Sequence, residues 1–167
     1  MFDTIAGLPL HPLVVHATEV IVPGAALAVM LAALWPRFRR WARYLPLGLS
    51  LVAVALVPLS TQSGEALRDR IGESSLIETH ASLAGGLLPW VLGLAVVAGA
   101  AAWWYRTEGS GARPRAPRWI GVVLAVAAVL ATTGTMAQAI RVGHSGARAV
   151  WSPVVGPIAP APTSDDG

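Results

Sequence analysis

The chain has 167 residues, of which 54% are hydrophobic and only 13% charged, with a mean hydropathy of +0.60 and a formal net charge of +3. A soluble domain carries about a quarter charged residues, so this composition points to the membrane. No cysteine is present, which excludes disulfides, thiolate metal sites, iron–sulfur clusters and cysteine catalysis. All 12 basic residues are arginine, and they form no groove-like patch interleaved with aromatics, so nucleic acid is not expected as a partner.

The opening "MFDTIAG" has an acidic residue and no basic n-region. The first apolar segment is therefore expected to be retained as a span rather than cleaved as a signal peptide. A hydrocarbon core of ~30 Å needs ~20 apolar residues in a helix. Four segments meet this, at roughly 13–35, 44–64, 80–105 and 119–140. They predict an all-α protein, a four-helix transmembrane bundle spanning residues 1–151, followed by a proline-rich disordered tail at 152–167. Pro23, Pro58 and Pro89 fall inside spans and should kink them. Gly24, Ala28 and Ala32, and again Ala95 and Gly99, form small-residue ladders that let helices approach closely.

The joints set a direction. Arg37, Arg39, Arg40 and Arg43 lie in the first, and Arg106, Arg113, Arg115 and Arg118 in the third. The positive-inside rule places both in the cytoplasm and both termini on the extracytoplasmic side. Trp35, Trp41, Trp103, Trp104 and Trp119 lie beside these arginines, as an inner aromatic belt would.

All four histidines fall at the other end. His11 to Arg37, His80 to Arg106 and His144 to Arg118 are each 26 positions apart, ~39 Å of unbroken helix. His16 lies one turn deeper, and Glu19 shares its helix face at i,i+3. An ionised side chain within a span costs a few kcal/mol, so Glu19 is expected to face the bundle interior with His16, Gln138 or Arg141 as partner. The remaining helix brings Ser63 and Glu65 to the same layer. Between this layer and the arginines no span carries a charged or histidine side chain, which argues against a proton pump or ion-coupled transporter.

Three chemistries suit such a layer. Two histidines on facing helices would hold the iron of a haem b, with Gly85 and Gly86 leaving room for the macrocycle and Arg68, Arg141 or Arg148 meeting its propionates. Two or three histidines with Glu19 or Glu65 would suit a divalent metal ion. The third possibility is a His/Glu cluster that binds no cofactor. The ligands expected first are His16 and His80, then His144 and His11, supported by Glu19, Glu65, Gln138 and Arg141. No nucleophile–base set or phosphate loop appears, so an enzyme is not the leading reading.

"GLPLHPLVVH", "TQSGEAL", "ETHASL" and "RVGHSGARAVW" resemble a family of small predicted bacterial membrane proteins catalogued as domain of unknown function 2231. The resemblance covers about Phe2 to Trp151. It implies a four-helix membrane domain and carries no settled activity or ligand. The sequence is thus read as a multi-pass protein of the bacterial cytoplasmic membrane. Its outward His/Glu layer would serve electron transfer or metal handling with a redox or membrane partner protein. The alternative is a cofactor-free structural or accessory subunit; the oligomeric state is left open.

Overall fold

The computed structural model describes residues 4–5, 8–71, 74–109 and 117–155. A two-residue antiparallel ladder, β1 (Thr4–Ile5) with β2 (Leu8–Pro9), precedes the first helix and is too short to form a layer. The fold is otherwise helical: α1 (Leu10–Leu34), α2 (Pro36–Ala42), α3 (Leu45–Ile71), α4 (Ser75–Gly85), α5 (Leu87–Gly109) and α6 (Arg118–Val155). Helices α1, α3 and α6, and α4 with α5 taken together, are long and apolar enough to cross a membrane. Four spans agree with the expected all-α bundle. Residues 156–167 of the proline-rich tail lie outside the described residues, while Ser152–Val155 continue α6.

The four spans close into a ring. Helix α1 packs on α3 and α6, α5 packs on the same two, and α1 and α5 lie across the diagonal. The core is made of small and branched side chains, among them Val22, Ala25, Ala26, Ala53, Val57, Val91 and Leu94. Alanines there bring the backbones together, and Thr132 Oγ1 of α6 donates to the Ala26 carbonyl of α1 at 3.2 Å. Outward positions such as Val20, Val96 and Leu130 are 65–70% exposed. A surface as apolar as the core suits lipid as the surrounding solvent.

Pro23 and Pro58 sit within α1 and α3 and leave the carbonyls of Glu19 and Val54 without their i+4 donor. The third span is broken outright. It divides at Gly86, between α4 and α5, with Pro89 in the first turn of α5. Gln138 of α6 covers the break, its Nε2 donating to the Leu83 carbonyl at 2.7 Å. A Cβ at Gly86 would lie 2.9 Å from that nitrogen, so the glycine makes room for the amide. Gln138→Leu is expected to cost about 1 kcal/mol, the net worth of one hydrogen bond, measurable by denaturant unfolding in detergent.

At the arginine end, α2 lies between the first two spans with Trp35, Phe38 and Trp41 in a row of ring contacts, centroids 6.4 and 5.8 Å apart. The Arg39 guanidinium sits 3.7 Å from the Tyr105 ring centroid, linking α2 to α5. Trp104 departs from the expected aromatic belt. It is only 7% exposed and packs inside, whereas Trp35, Trp41, Trp103 and Trp119 are exposed. Neighbouring tryptophans on a helix point about 100° apart, so Trp103 and Trp104 cannot both face lipid.

Candidate functional site

The end of the bundle away from the arginine-rich turns carries two imidazoles held in the same way. His11, in the first turn of α1, is half-buried, and its Nδ1 lies 3.2 Å from the Ser60 carbonyl and 3.1 Å from Ser63 Oγ on α3. His80, on α4, is also half-buried, with Nδ1 3.0 Å from Ser145 Oγ on α6. The serines match as well. Ser63 Oγ donates to the Ser60 carbonyl at 3.0 Å and Ser145 Oγ to the Val142 carbonyl at 2.9 Å, both three residues back.

Each ring also rests on a glycine. A Cβ at Gly64 would lie 3.0 Å from His11 Cε1, and one at Gly146 would lie 3.1 Å from His80 Cε1. Each half of the protein thus has a histidine opening one span and a Ser-Gly pair near the end of the next. Helices α1 and α5 are diagonal in the ring, so the two units lie on opposite sides of the bundle.

The hydrogen bonds assign the tautomer. A carbonyl only accepts, so His11 Nδ1 carries the proton and donates to Ser60. Ser145 spends its own proton on Val142, so His80 Nδ1 donates to Ser145 Oγ. With the proton on Nδ1, Nε2 carries the lone pair, and among the described residues it has no hydrogen-bond donor in either ring.

The other expected residues lie elsewhere. His16 is exposed on the outer face of α1, and its Nδ1 donates to the Pro12 carbonyl of its own helix at 2.6 Å. It does not join His80. Glu19 is likewise exposed instead of facing the interior, and it has no partner among the described residues. His16 lies on the sector of α1 opposite its buried residues Thr18, Val22, Ala25 and Val29, and Glu19 lies at the flank of that buried stripe. Glu65 is exposed on α3. His144 and Arg141 line a groove between α4 and α6. Gln138 is buried at the α4–α5 break.

Among the described residues no three His, Cys, Asp or Glu side chains gather as a metal group. The expected set of histidines with Glu19 or Glu65 is therefore not assembled. The room expected for a macrocycle at Gly86 is taken by Gln138, while Gly85 opens onto free space. A cavity at the arginine end, beside Arg39, Arg43 and Tyr105, holds about 30 Å³, the share of a single water.

A family model described as "Predicted membrane protein (DUF2231)" matches residues 7–158. The chain belongs to this family. Membership and the four apolar spans together make it a multi-pass membrane protein in contact with the lipid bilayer. The comparisons with curated proteins and with solved structures find no match.

Ser63 was already placed in this layer by the sequence; what sequence reasoning missed is that each Ser-Gly pair seats a histidine of another helix. The dipeptide recurs at Ser63–Gly64 and Ser145–Gly146, each after a span opened by a histidine. Following both halves in step from His11 and His80, His16 falls opposite Gly85 and Glu19 opposite Leu88. In that register neither His16 nor Glu19 has a like residue in the second half.

Proposed function

We propose that this protein carries a metal centre at the outward end of its bundle, held by His11 and His80, and serves electron transfer or metal handling there together with a partner protein. The arginine-rich turns support an orientation with that end facing away from the cytoplasm, in a bacterial cytoplasmic membrane. The observation that carries the reading is the matched pair of half-buried imidazoles, each with Nδ1 tied to a neighbouring helix and Nε2 left with its lone pair. The Nδ1–H bonds fix ring orientation and raise the basicity of Nε2, as ordered partners of metal-binding histidines do.

Two imidazole nitrogens form the axial set of a haem iron, and imidazole also suits copper, zinc and iron ions. Gln138 filling the space at Gly86 favours a single ion over a haem. When bound, such a centre supplies one-electron chemistry or a transfer point for the ion itself. The serines and glycines of α3 and α6 hold the two rings in place.

A second reading is a cofactor-free structural subunit. It is favoured by the same bonds, which join α1 to α3 and α4 to α6 and would clamp the helix ends unaided. The two readings separate in protein purified in mild detergent. The test is an absorption spectrum, oxidised and reduced, with elemental analysis of the same sample. A Soret band that shifts on reduction identifies haem; stoichiometric metal without one identifies an ion. Neither signal in protein expressed with added metals and haem precursor would leave the clamp. His16→Ala is expected to leave the bound content unchanged, since that ring faces away from His80.

A further inference from the structure

Beside the His80–Ser145 contact, α4 and α6 enclose a groove of about 200 Å³. Its walls are two stripes at i, i+3, i+7 spacing, which place each set on one helix face. Helix α6 contributes Arg141, His144 and Arg148; α4 contributes Leu76, Thr79 and Leu83. One wall is cationic and the other mainly apolar. Among the described residues neither Arg141 nor Arg148 has an ion pair or hydrogen bond. These arginines also lie at the end where membrane orientation does not call for basic residues.

Depth narrows what fits. Arg141 stands about 35 Å along α6 from Arg118, whereas the hydrocarbon core is ~30 Å thick. The 38 residues of α6 run about 57 Å in all, so its last turns rise beyond the hydrocarbon with α4 beside them. The groove therefore stands at the level of lipid headgroups. Guanidinium groups recognise phosphate through paired N–H donors, and of the two leucines Leu83 is the deeper, at the end of the groove nearer the hydrocarbon.

We propose that this groove binds the phosphate of an anionic phospholipid, with Arg141 and Arg148 on the headgroup and Leu83 against the first part of its acyl chain. The proposal does not rest on a metal at His11 and His80, although Ser145, which holds the His80 ring, also lines the groove. A free phosphate shares the headgroup chemistry and lacks the apolar part.

The test is native mass spectrometry of the delipidated protein in detergent, titrated with dioleoylphosphatidylglycerol, dioleoylphosphatidylcholine or inorganic phosphate. Phosphatidylglycerol is expected to occupy one tight site. In Arg141→Gln/Arg148→Gln the apparent affinity for that lipid should fall at least tenfold. Arg37→Gln/Arg40→Gln, at the opposite end, should retain the site. Both groove arginines are exposed, so the variant is expected to fold, and circular dichroism checks this; Arg148→Lys should recover part of the affinity by returning the charge. Equal affinity in wild type and the double-glutamine variant overturns the proposal, as does equal affinity for phosphatidylcholine. Displacement of the lipid by millimolar inorganic phosphate overturns the lipid assignment in favour of a free-anion site.

Discussion

His80→Ala is expected to remove the metal centre, bringing metal or haem content per protein to background. Two imidazoles leave no redundancy: no third His, Cys, Asp or Glu gathers with them among the described residues. His11→Ala should have the same effect, because each ring supplies one of two donors. The serine variants grade the argument. Ser145→Ala removes the acceptor of the His80 Nδ1 proton and frees the ring to turn, and loss of such a supporting partner typically weakens metal affinity 10- to 100-fold. Ser63→Ala should do less, because His11 keeps the Ser60 carbonyl. Competition with a chelator of known affinity, read by elemental analysis, measures all four variants. Unchanged content in both histidine variants would place any centre elsewhere and sink the assignment.

Gly134→Ala carries the largest expected effect on the fold. The six-membered ring of Trp90, on α5, lies directly over Gly134 of α6, and a Cβ there would overlap it. The ring is 42% exposed and can swing toward lipid, so the cost is that of overpacking, about 1–3 kcal/mol. Its consequence is a looser α5–α6 seam, next to the bond from Thr135 Oγ1 to the Trp90 carbonyl at 3.4 Å. Trp90→Ala in the Gly134→Ala background should recover part of the loss. A double-mutant cycle in denaturant reads this as a coupling between the two positions. Additive costs would mean that the ring does not rest on Gly134 in the membrane.

Span number, the arginine-rich turns and the layer of histidines were legible, because each depends on hydropathy and position along the chain. Rotation of the helices was not. Helix α1 is apolar nearly all round, so nothing in its pattern says which sector turns inward. The depth of His16 and its spacing to Glu19 made them attractive, yet both face outward, and the half-buried ring is that of His11. Pairing between helices was equally hidden, since His11 meets Ser63 and His80 meets Ser145 only once the ring order is known. The interruption at Gly86 was legible in part: Pro89 removes the donor for the Gly85 carbonyl where α4 ends, but the Gln138 amide that caps the Leu83 carbonyl there was not.

The resemblance between the two halves bears on how such a chain arose. A helical hairpin that leaves one face of the membrane and returns to it keeps its orientation when doubled end to end. Its copies are then related by rotation about the membrane normal, unlike the inverted repeats on which many transporters rock. In an ancestral dimer of hairpins, one histidine per copy would have met its twin on the axis. Fusion frees each copy to change alone. The first half holds His16 and Glu19 where the second has Gly85 and Leu88, and the second interrupts its leading helix and has a groove beside it. A histidine seated on a Ser-Gly pair is what the two halves have in common, and the groove belongs to the second.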